Sequence, residues 1–241
     1  MEAHTLSGLI EGNRAEVLVN GDQIFPAMLA AIRAARTTIT FANFVYEDGA
    51  IAREMAEALA ERCRAGVGVS VLVDAVGSSK MPTALRRMLS ESGCHFARYQ
   101  PVNPFALKRF NHRNHRRILV VDGRIGFTGG TGIGEKWTGD GRQEGHWRQT
   151  DVRVEGPIVR FLQAAFVEDW VSIGSANLDN ASFALNNELN VTFLDRRLAR
   201  RLSEIFANDL KSTTPVTLPE WRRHVFRHLL YLPLVPLRDQ L

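Results

Sequence analysis

The sequence predicts an α/β domain in which a mixed β-sheet is flanked by helices. Strand-like and helix-like segments alternate over the first 100 residues, the order that builds parallel strands covered by helices. Two short apolar segments joined by Asp122-Gly123 follow, and these add an antiparallel hairpin. The 241 residues are 45% hydrophobic and 23% charged, an ordinary globular composition with chain enough for one large domain or two small ones.

Gln23 to Ala35 has the apolar spacing of an amphipathic helix. Thr38 to Val45, TITFANFV, is β-rich and ends at the turn-like EDG. Ala50 to Arg64 places Ile51, Met55, Ala58, Leu59 and Cys63 on one helix face. Gly66 and Gly68 end that helix, and Val69 to Val73 is a short apolar strand. Thr83 to Ser92 reads as the next helix, stopped by Gly93, with a strand over Cys94 to Tyr99. Pro101 to Arg109 is an irregular loop containing two prolines.

Ile118 to Val121 and Ile125 to Thr128 form the predicted hairpin. Gly129-Gly130-Thr131-Gly132 requires a tight backbone turn, and residues 138–149 read as a polar, glycine-rich surface loop. Val152 to Val154 is a strand, and a helix starts at Gly156-Pro157 and runs to about Trp170. Arg196 to Leu210 has helical periodicity. Thr217 and Glu220 form a capping box that opens a helix over Trp221 to Leu232, where Arg222, Arg223 and Arg227 accompany large apolar residues. A basic amphipathic helix suits an anionic membrane surface, and it equally suits a terminal helix packed on a domain.

Thirty Lys+Arg against 26 Asp+Glu give a net charge of +4, a mild lean toward an anionic partner. The first residues lack the basic start and apolar core of a signal peptide, and no apolar run reaches the length of a membrane span. Two cysteines, Cys63 and Cys94, are too few for a disulfide scaffold or a cysteine-built zinc site and read as small core residues.

The chemistry concentrates in His115-Arg116-Arg117-Ile118-Leu119-Val120-Val121-Asp122, followed six residues later by Gly129-Gly130. On a strand, His115 and Arg117 would point to one face. An imidazole beside a permanent cation suits phosphoryl chemistry: the ring attacks phosphorus while the cation steadies the non-bridging oxygens. Asp122 is an acidic residue of the kind that orients a histidine. On the residues alone, a solvated charge run explains the pattern as well, and His112 fits a basic loop. A second segment, Gly174 to Asn180 followed by Asn186 to Asn190, offers Ser175 and Asn177 to phosphate oxygens and Glu188 to a histidine, or else supplies turn and strand caps.

At these residues the chain resembles the phospholipase D superfamily, specifically bacterial cardiolipin synthases. The family signature is His-x-Lys, four residues, Asp, six residues, then Gly-Gly or Gly-Ser. Here it reads NHRRILVVDGRIGFTGGTGIGEKW, and FANFVYEDG, HWRQTDVRVEGPIVRFLQAAFVEDW and GSANLDNASFALNNELNV are similar to further segments of the family. Arg117 stands where the family has lysine, which keeps the charge and gives up a proton donor.

The resemblance implies one lobe plus the terminal part of a second. Residues 1–170 would form a first lobe with the histidine motif, 171–214 a remnant of the second, and 215–241 the basic C-terminal helix. It implies His115 as nucleophile, Arg117 and Asp122 as catalytic support, and Gly130, Ser175, Asn177 and Glu188 as substrate-binding positions, with no metal and no cofactor. Phosphatidylglycerol is the implied substrate and a membrane surface the implied partner, with nucleic acid not expected. The implied location is the periphery of the bacterial cytoplasmic membrane. Family members bring two histidine motifs together, and AAFVEDW here runs directly into VSIGSANLDN, so a second copy of the chain is the expected source of the other histidine. Phosphodiester hydrolysis and a catalytically inactive membrane-binding remnant are the competing outcomes.

Overall fold

The computed structural model describes residues 9–100, 113–174, 186–187, 191, 193 and 195–213. The chain divides into two compact units, Met1–Val191 and Thr192–Leu241.

The first unit is built on a seven-stranded mixed sheet. Its strands are β1 (Arg14–Val19), β2 (Thr38–Asn43), β3 (Gly68–Asp74), β4 (His95–Tyr99), β6 (Ile118–Val121), β7 (Ile125–Gly129) and β8 (Thr150–Glu155), in the order β1-β8-β7-β6-β2-β3-β4. A separate pair joins β5 (Arg113–Asn114) to β9 (Asn186–Asn187). Strands β2, β3 and β4 are parallel, and β6 returns antiparallel beside β2. The hairpin β6–β7 turns at Asp122 and Gly123, whose φ values of 53° and 62° are both left-handed, and the Arg124 N–H closes the turn on the Val121 carbonyl.

Period-two alternation sends each strand's side chains to two layers. Ile39 and Phe41 of β2, Val69, Val71 and Val73 of β3, and Leu119 and Val121 of β6 share one core with three helices. These are α1 (Gly21–Ala34), α2 (Ala50–Arg64) and α3 (Thr83–Glu91), which contribute Ile24, Ile32, Met55, Leu59, Leu85 and Leu89. The opposite parity of β6, Ile118 and Val120, is equally buried under α4 (Val159–Gly174), whose Leu162 and Phe166 cover that face. Gly126 of β7 is what lets α4 approach: a Cβ there would lie 2.6 Å from Leu162 Cδ1.

The elements expected from the sequence are present over the described residues, and three observations correct or extend the reading. Strand β1 has no counterpart in the sequence reading; it is an edge strand paired antiparallel with β8, with most of its side chains only half-buried or exposed. Cys63 and Cys94 are not separate core thiols but a disulfide that ties the last turn of α2 to the residue before β4. Helix α4 runs unbroken through Trp170 and Val171, where the sequence suggested a junction between lobes.

In the second unit, α5 (Arg196–Leu210) is capped by Asp195, whose carboxylate accepts hydrogen bonds from the Arg197 and Leu198 N–H groups. Those bonds hold the Asp195 carboxyl below the usual carboxylate range. Among the described residues no helix is long and apolar enough to cross a membrane.

Candidate active site

The carboxyl ends of the parallel strands β2, β3 and β4 meet the start of β6, because β6 runs antiparallel and pairs Ile118 with Ala42. This is the end of an open α/β sheet where loops are free to converge and ligands bind. His115, Arg116 and Arg117 lie there, in the link between β5 and β6 rather than within a strand.

The alternation inferred for them nevertheless has its consequence. His115 packs against Phe44 with ring centroids 4.2 Å apart and ring planes tilted by 52°, and the Arg117 guanidinium carbon stands 5.9 Å from the centroid of the same ring. Arg116 turns the other way, to α4. One aromatic ring thus carries both the imidazole and the cation.

Phe44 itself is not visible as a site residue in the sequence. It follows β2 directly, and its carbonyl accepts a hydrogen bond from the Ser78 hydroxyl at 2.9 Å, while the same hydroxyl oxygen accepts from Tyr46 N–H. Gly77 gives Phe44 its place: a Cβ at Gly77 would fall 2.3 Å from the Phe44 carbonyl oxygen and 2.8 Å from its ring. Gly77→Ala is therefore expected to cost about 1–3 kcal/mol of stability and to move the ring on which His115 and Arg117 rest. Urea unfolding and activity measured together would show it; an unchanged urea midpoint would contradict the close packing.

Asp122 sits at the far end of β6 from His115, with the whole four-residue strand, about 13 Å long, between them. Its carboxylate accepts hydrogen bonds from the N–H groups of Arg36, Thr37 and Thr38 and from the Thr37 hydroxyl. Burial works to raise its pKa, and these bonds outweigh it and hold the carboxyl at about 2. Asp122 therefore locks the start of β2 to the β6–β7 turn, and any effect on His115 passes through the strands. Because its folded pKa lies below the unfolded value of about 3.9, its contribution is complete above about pH 4 and disappears as pH falls through about 2. Asp122→Asn is expected to cost about 1–2 kcal/mol at neutral pH, allowing for solvent screening at a half-buried turn. The penalty should vanish in acid unfolding near pH 2, and a penalty that persisted there would contradict this account. An open cavity at this end, lined by Arg36, Arg124 and Glu155 among others, lies a strand length from His115.

The two glycines after β7 have a steric reason. A Cβ on Gly129 would stand 2.1 Å from the Asp151 carboxylate, and one on Gly130 would stand 2.3 Å from Gln149 Oε1. Gly130 N–H and the Thr131 hydroxyl both donate to Asp151 Oδ1, at 3.0 and 2.9 Å. The Gly130 N–H, expected from the sequence to meet substrate, is thus directed at Asp151. Asp151 is almost fully buried, and burial raises its pKa; the Thr131 and Gly130 hydrogen bonds and the positive charge of Arg117 act in the opposite direction. Thr131 is tied back to β2, since its carbonyl accepts from Asn43 Nδ2. Asp151 is a site-adjacent carboxylate whose value the sequence spacing does not reveal.

Ser175, Asn177, Glu188 and His112, and the whole basic helix 221–232, lie outside the described residues. Among the described residues, no three His, Cys, Asp or Glu side chains cluster as metal ligands do.

Comparison with known proteins agrees with this architecture. A family model described as "Cardiolipin synthase, PLD-like domain" matches residues 28–210. Cardiolipin synthase A of Pseudomonas fluorescens (strain SBW25) is 38% identical over 163 residues, which are 67% of this chain and 34% of that protein. Cardiolipin synthase 1 of Bacillus cereus is 34% identical over 161 residues, 66% of this chain and 32% of that protein. The chain thus spans about a third of the length of the curated relatives it matches. Among solved structures, Nuc from Salmonella typhimurium, a phospholipase D family member, aligns with a TM-score of 0.52 at 16% identity, over 66% of this chain and 95% of that one. That likeness bears on the fold alone.

Proposed function

This chain belongs to the cardiolipin synthase family of phospholipase D-like domains, and from that premise we propose that it transfers a phosphatidyl group from one phosphatidylglycerol to another through a covalent bond to His115. The observation that carries the reading is the shared seat of His115 and Arg117 on Phe44, at the carboxyl end of the parallel strands, with Arg116 turned away.

In the first step an imidazole nitrogen of His115 attacks the phosphorus of phosphatidylglycerol. The P–O bond to the terminal glycerol breaks, and the leaving oxygen takes a proton from a second histidine. In the second step the free glycerol hydroxyl of another phosphatidylglycerol gives its proton back to that histidine and attacks phosphorus. The P–N bond breaks, His115 is released, and the products are cardiolipin and glycerol. Arg117 stabilises the charge on the non-bridging oxygens through both steps. The second histidine is supplied by His115 of a second copy of the chain across a two-fold axis, and the chain attaches to the membrane surface from one side. Ser175, Asn177 and Glu188 are proposed to hold phosphate oxygens and orient a histidine.

Vesicles of phosphatidylglycerol carrying a labelled headgroup test the reaction. Cardiolipin with released glycerol supports it. Phosphatidic acid would mean that water is the acceptor, and cleavage of DNA with lipid untouched would replace the reading with a nuclease. Binding to vesicles with no turnover would leave only a lipid-binding module.

Arg117 provides a sharper variant. Arg117→Lys restores the residue of the family signature and is expected to keep activity within about tenfold, since the charge is retained. Arg117→Ala is expected to lower kcat by about 10²–10³-fold. Equal kcat values for the alanine and lysine variants would remove Arg117 from the reaction.

A further inference from the structure

The residues on either side of His115 are tied to one buried side chain on α4, and from this we infer that Asp169 is a positioning residue that sets the aim of the His115 imidazole. Asp169 is fully buried, and both of its carboxylate oxygens accept hydrogen bonds. Asn114 Nδ2 donates to Oδ2 at 2.9 Å, and Arg116 Nη1 donates to Oδ1 at 2.9 Å. Asn114 Oδ1 in turn accepts from Arg116 N–H at 3.0 Å. The three residues close a ring of hydrogen bonds that spans the backbone of His115, leaving that side chain to project the opposite way, onto Phe44.

Two further ties make the ring rigid. Asn114 N–H donates to Asp74 Oδ2 at the end of β3, and Asp74 Oδ1 accepts from Val76 and Gly77 N–H. Arg116 Nη1 also reaches the Ala165 carbonyl and the Glu168 carboxylate, one turn along α4. With both neighbours held, the backbone angles of His115 have little freedom, so its imidazole meets a phosphorus atom in one orientation. Charge-assisted bonds in a dry site are the strong kind, and losing one partner leaves the others buried and unpaired. A nucleophile displaced by about 1 Å loses about 10²-fold in rate.

The inference rests on His115 as the reactive group, and its test separates the two. Asp169→Asn in the full chain, isosteric but uncharged, is expected to lower kcat for phosphatidylglycerol by about 10- to 100-fold with KM held within about twofold. Proton NMR of histidine-labelled protein reads the position of the ring directly. In the wild type the His115 ring protons are displaced by the ring current of Phe44, and in Asp169→Asn most of that displacement should be lost. Arg116→Lys opens the same ring of bonds from a half-buried position and should act in the same direction. Arg160→Gln, at an exposed side chain nine residues before Asp169 on α4, should behave as wild type. Unmoved His115 resonances in a folded Asp169→Asn or Arg116→Lys protein would overturn the inference. Retained turnover in His115→Ala would instead overturn the nucleophile, leaving the resonances to decide the role of Asp169.

Discussion

His115→Ala is expected to lower the conversion of phosphatidylglycerol by about 10⁴-fold or more, while the urea midpoint changes little. The covalent route disappears with the ring, and what remains is the charge of Arg117 and the binding of the headgroup. Structurally the substitution removes one half-buried ring from Phe44, a loss of about 1 kcal/mol. The two effects therefore separate by a wide margin, and a proportional loss of both would point to unfolding instead. The same variant tests the dimer. If one site needs His115 from two copies, an equimolar mixture of wild type and His115→Ala with free exchange leaves about a quarter of the dimers with two histidines. Activity should then fall to about a quarter of the wild-type value at equal total protein. A fall to one half would mean that each copy works alone.

How far this site was legible depends on the range of the interactions. The spacing His-x-Arg puts two side chains on one side of an extended backbone, and that holds even though residues 115–117 are a link between β5 and β6 and not a strand. The Asp-Gly turn is local, and its two positive φ values follow from the residue types. The partners of Asp122 are not local: Arg36, Thr37 and Thr38 lie 84 to 86 positions earlier and meet it only because β6 pairs with β2. The same is true of Asp169, 55 positions beyond Asn114, whose place inside AAFVEDW looks like an ordinary helix end. Asp151 falls off the motif spacing and is brought to Gly130 by the β7–β8 pairing of Gly129 with Asp151. Strand β1 escaped for a different reason. RAEVLV presents no strong alternation, and it becomes a strand because β8 offers it an edge.

Reduction of the Cys63–Cys94 disulfide is expected to cost the first unit about 3–4 kcal/mol. Counting cysteines excludes a scaffold of many bridges, but one bridge needs only that two residues 31 positions apart arrive together. They do so because α2 and β4 are joined through α3: Gly66 and Gly68 return the chain into β3, and α3 returns it to the neighbouring parallel strand. Closing that loop in the unfolded chain removes conformations that the reduced chain would regain, and β4 is the edge of the sheet, paired on one side only, with β3. Urea unfolding with and without dithiothreitol should therefore show a lower midpoint for the reduced protein. The double variant Cys63→Ala, Cys94→Ala should match the reduced protein and be indifferent to dithiothreitol. Alkylation of the unreduced, denatured chain should find no free thiol. If reduction left the midpoint in place, the α2–β4 edge would be held by its packing alone: Leu59, Leu85, Leu89 and Val71 already bury their side chains completely or nearly so. The sign of the difference thus decides whether the edge of the parallel sheet depends on the bond or on the core beneath it. An oxidising environment would preserve that stability, and a reducing one would remove it without touching His115, which precedes β6, a strand separated from β4 by β2 and β3.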